Sequence, residues 1–91
     1  MLLHPSAVRA ALLSLLGAEH TECPDDLVRV SMLRDAEEPA YVVYAAPACA
    51  LFLGRELSRN IGRTLPFVRP LWTLSKEEAE LVAKGIHGTS Q

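Results

Sequence analysis

Arginines offer the most chemistry in this chain. Arg55, Arg59, Arg63 and Arg69 fall between positions 55 and 69, where Glu56 is the single acid. On a helix, Arg55, Arg59 and Arg63 would lie within about an 80° arc, because each four-residue step drifts by roughly 40°. Such a row can take phosphates, or the carboxylates of a partner, in bidentate fashion. A solvated helix face is the competing reading. Arg59 lies where cations suit a helix C-terminus, Glu56 is within pairing reach, and Arg63 leaves the row if Gly62 ends the helix.

Acids gather elsewhere. Residues 19–38 hold Glu19, Glu22, Asp25, Asp26, Asp35, Glu37 and Glu38 against Arg29 and Arg34. Asp35, Glu37 and Glu38 fall between two strand-like runs, where charge either keeps sheet edges from pairing or meets a basic partner. Trp72, the one tryptophan, lies near Arg69, Phe67 and Leu71 in a proline-bounded segment. If exposed, it is an interface anchor; if buried, it plugs the core between the last two helices.

Catalytic patterns are missing. No Walker loop, Gly-x-Gly-x-x-Gly, Gly-x-Ser-x-Gly or His-Glu-x-x-His occurs in the chain. His20 and Cys23, with Cys49, His4 and His87, make only one loose close pair, where structural zinc sites show two. No enzyme activity, metal or cofactor is therefore expected. Leu53 to Ser58 followed by Ile61 to Arg63 has the flavour of a helix-turn-helix, but Pro66 would break a recognition helix in its second turn.

The elements that must position these residues follow from pattern. Pro5 suits a first helical position, with His4 or Ser6 as cap and Gly17 past the end. Between Ala7 and Leu16 only Arg9 and Ser14 are polar. A helix apolar nearly all round needs burial on more than one face, so Val8, Leu12, Leu15 and Leu16 are candidates for self-association. Leu27–Leu33 alternates as a half-buried strand, and Tyr41–Ala45 is a second strand rich in β-formers. A helix from Pro47 to Asn60 or Ile61 places Ala50, Leu53, Leu57 and Ile61 on one face, with Gly62 to end it. Pro66 and Pro70 keep residues 65–72 extended, at most as an edge strand. Ser75 with Glu78 forms a capping box for a last helix carrying Ala79, Val82, Ala83 and Ile86, ended by Gly85 or Gly88.

Composition bounds the outcome. Of the 91 residues, 26 are Leu, Ile, Val or Phe, enough to drive collapse to one core. The net charge of −2 gives no wholesale attraction to nucleic acid or anionic membrane. Two cysteines make no disulfide framework, no apolar run is long enough to span a bilayer, and the N-terminal apolar run is a poor secretion signal. These features predict a single α+β domain over residues 1–91, with a frayed tail at 88–91. Three helices would pack on an antiparallel hairpin or small three-stranded sheet, in the order α-β-β-α-(β)-α. The expected function is that of a cytoplasmic, non-catalytic binding or regulatory protein, an inhibitor or adaptor acting on another protein and forming a homodimer. The alternative is a nucleic-acid-binding accessory protein that uses the arginine row.

Overall fold

A computed structural model describes residues 2–17, 27–34, 37–65 and 71–88. The element order is α1 (Pro5–Leu16), β1 (Val28–Leu33), β2 (Ala40–Ala45), α2 (Pro47–Ile61), β3 (Leu71–Ser75) and α3 (Lys76–Gly88). It is an α+β fold with a three-stranded antiparallel sheet ordered β1-β2-β3. The extended segment thus becomes a third strand over 71–75. Residues 66–70, which include Phe67, Val68 and Arg69, lie outside the described residues, as do Asp35 and the tail 89–91.

Local chemistry sets the helix ends. Pro5 and Pro47 open their helices with φ already fixed. His4 caps α1, its Nδ1 accepting from the Ser6 N–H at 3.1 Å, whereas Ala46 offers α2 no side-chain cap. Gly62 ends α2 at φ 76°, a left-handed turn that costs a side-chain-bearing residue strain. The capping box of α3 forms in both directions. Glu78 N–H donates to Ser75 Oγ at 3.1 Å, and Ser75 N–H donates to Glu78 Oε1 at 3.0 Å. That helix passes through Gly85 and ends at Gly88.

All three helices cover one face of the sheet. Val28, Tyr41, Val43, Ala45, Trp72 and Leu74 point into the core with Val8, Leu12, Leu53, Leu57, Leu65, Ala79 and Val82. Tyr41 is fully buried, and its hydroxyl donates to the Leu3 carbonyl at 2.6 Å, so its polar end is satisfied. Burial corrects two expectations. Val8 and Leu12 are both 0% exposed because α1 packs against β1, α2 and α3 at once, so neither can meet a second copy. Trp72 is 3% exposed and is core rather than an interface anchor.

The ladder also fixes which backbone groups face outward. Ala46 N–H donates to Leu27 O at 2.8 Å, which extends the β1–β2 ladder by one step. Bond-exchanging pairs alternate, so Arg29, Ser31 and Leu33 bond to β2, while Val28, Val30 and Met32 turn their N–H and C=O groups to the outer edge. By the same alternation, Leu71, Thr73 and Ser75 face outward on β3. Two arginines obey this assignment. Arg9 Nε donates to Val28 O at 2.7 Å, and Arg63 Nη2 donates to Thr73 O at 2.9 Å.

Candidate protein-interaction surface

The buried face of α2 leaves a complementary stripe outside. Leu53 and Leu57 enter the core, and at about 100° per residue Ala48, Leu51, Phe52, Arg55 and Arg59 share an arc of about 100° on the opposite side. Leu51 is 52% exposed and Phe52 50%. Arg55 is exposed and has no ion-pair partner among the described residues. Arg59 reaches Glu56 at 3.6 Å while its side chain stays 76% exposed, a pairing of little energetic weight. The stripe is thus two large apolar side chains backed by two guanidinium groups.

The arginine row does not extend further. Because Gly62 turns the chain out of the helix, Arg63 swings to α3, where its Nε and Nη2 engage both carboxylate oxygens of Glu78, the latter at 3.0 Å. The hydrogen bonds from Arg63 chiefly hold the Glu78 carboxyl below the usual carboxylate range; burial opposes this, and the Ser75 N–H adds to it. The guanidinium pKa rises for the same reason. Arg63 therefore ties the end of α2 to an edge carbonyl of β3 and to the cap of α3. It is a structural clasp that lies off the α2 stripe. Glu37 and Glu38 are exposed beside the β1–β2 connection, away from the α2 stripe in sequence. Leu15 and Leu16 are half-buried.

A second apolar surface is the face of the sheet that no described helix covers. Leu27, Arg29, Ser31, Val42, Tyr44, Ala46 and Leu71 line a shallow open hollow of about 570 Å³ there. Among the described strand residues, Arg29 is the single charge on that face. No group of three metal-ligating side chains occurs among the described residues. Cys49 is half-buried, with its Sγ directed at the Ala46 and Leu27 carbonyls, at 3.5 and 3.7 Å. No described helix is long and apolar enough to cross a membrane.

Charge patterning does not single out Leu51 and Phe52. The signal was present: both fall opposite the Ala50–Leu53–Leu57–Ile61 face of their own helix. No family model matches the chain, and no curated protein or solved structure is similar to it.

Proposed function

We propose that this chain is a non-catalytic cytoplasmic binding protein, an adaptor or inhibitor, that docks on another protein through the outer stripe of α2. The observation that carries this reading is the pair Leu51 and Phe52, half-exposed side by side in front of Arg55, which has no ion-pair partner among the described residues. Aromatic and arginine side chains dominate binding energy where they are packed and desolvated. The complementary surface is an apolar pocket rimmed by carboxylates. Phe52 and Leu51 supply contact area there, while Arg55 and Arg59 set orientation and association rate. The mechanism is occlusion or scaffolding of that partner.

Affinity capture from a cell extract tests the proposal, with wild type run beside Phe52→Glu and Arg55→Glu and folding checked by circular dichroism. One protein retained by wild type and lost by both folded variants is the expected result. Capture that both variants leave unchanged overturns it. So does nucleic acid that elutes at high salt and depends on Arg55 but not Phe52, which would favour the nucleic-acid alternative.

A further inference from the structure

We propose that two copies of this chain join through the outer edge of β1, making one six-stranded sheet across a two-fold axis. The two edges of the sheet are unequal. On β3, Arg63 occupies the outward carbonyl of Thr73 and Glu78 occupies the outward N–H of Ser75. On β1, Arg9 occupies Val28 O at one end only. The outward backbone groups of Val30 and Met32 have no hydrogen-bond partner among the described residues. Unpaired strand edges are templates for another strand. On β3 the outward N–H of Thr73 and the outward groups of Leu71 also have no hydrogen-bond partner among the described residues, so that edge is only partly taken up. Pairing of β1 with β1 across a two-fold axis is isologous and closes after two copies.

The side chains agree. Val30 and Met32 point to the helix side, where α1 packs against β1, yet both stay only half-buried. Leu33 is 46% exposed on the opposite face. A neighbouring β1 would cover all three.

Arg9 selects the register. Centring the axis on Val30 would require Val28 O, which Arg9 already holds, and centring it on Met32 would pair Val30 with Arg34 beyond the strand's end. Centring it on Ser31 uses the outward groups of both Val30 and Met32. Val30 then exchanges backbone bonds with the second copy's Met32, and Met32 with its Val30. Across the seam Ser31 faces Ser31, Arg29 faces Leu33, and Arg34 faces Val28. No two like charges stand directly opposite.

Light scattering and sedimentation of the full chain, from about 1 μM to about 1 mM, read the outcome. Wild type is expected to dimerise. Val30→Pro removes an outward N–H and leaves the β1–β2 ladder intact, as proline is tolerated on an edge strand, so it should be monomeric with an unchanged circular dichroism spectrum. If that variant fails to fold, Leu33→Lys decides. It sets a cation against the second copy's Arg29 and should weaken the dimer at least about tenfold, with Arg29→Glu restoring it in the double variant. A wild-type monomer throughout the range overturns the proposal. So does a dimer that survives Val30→Pro and Leu33→Lys but is lost on Tyr44→Glu, which would mark face-to-face stacking. Phe52→Glu should leave the dimer intact, so this inference and the α2 docking surface fail independently.

Discussion

Helices α1 and α2 reverse what their compositions promise. Between Ala7 and Leu16, α1 carries only Arg9 and Ser14 as polar residues, yet its largest core side chains are wholly enclosed. By contrast, α2 carries Arg55, Glu56, Arg59 and Asn60, and still leaves Leu51 and Phe52 in solvent. The difference is position. Helix α1 packs heavily on the sheet at β1 as well as on α2 and α3, whereas α2 meets α1 and α3 but makes only slight contact with the sheet. Mean apolarity shows how much burial a helix needs. Only its place in the layer shows which apolar residues remain for a partner.

The sharpest way to break this contrast is Leu12→Ala. At a fully enclosed site it should cost about 3 kcal/mol in denaturant unfolding, and a loss under about 1 kcal/mol would mean that α1 is not core. Gly62→Ala comes next. No atom lies within 4 Å of the added Cβ, but φ of 76° strains it, so about 1 kcal/mol should be lost through the backbone alone. Glu78→Gln should cost about 0.5–1 kcal/mol at neutral pH, measured the same way. Its pH dependence has a definite sign. The folded-state pKa of Glu78 is lowered, so its contribution is present above the unfolded value of 4.5 and fades as pH falls through the folded one. Wild type and variant should therefore converge in acid; a gap that persists there would place the effect outside the Arg63 clasp. Smallest of all is Phe52→Ala, expected to change stability by less than about 0.5 kcal/mol while abolishing partner capture. A large stability loss at Phe52 would erase the distinction between the two helices.

Features written within a few residues were legible in the sequence. The capping box joins Ser75 to Glu78, Pro47 and Gly62 bound α2, and alternation in Val28–Leu33 gives the strand and its buried face. The pairing of β3 with β2 required chain separated by all of α2, and no local pattern announces it. The candidate site divided along the same line. Arg55 and Arg59 stay on the helix face that their spacing implies. Arg63 depends on Glu78, fifteen residues away, for its place. Leu51 and Phe52 fall opposite the core face by spacing, but residue type cannot say whether a neighbouring element covers them.

The position of Trp72 has a practical side. As the chain's single tryptophan, 3% exposed and opposite Val43 on the central strand, it is a built-in optical gauge of the core. Its fluorescence should be blue-shifted and shielded from aqueous quenchers in the native protein. It should redden only when the sheet and helix layer separate, and stay blue when Phe52 is changed. One emission spectrum then sorts a variant that has lost its shape from one that has merely lost its partner.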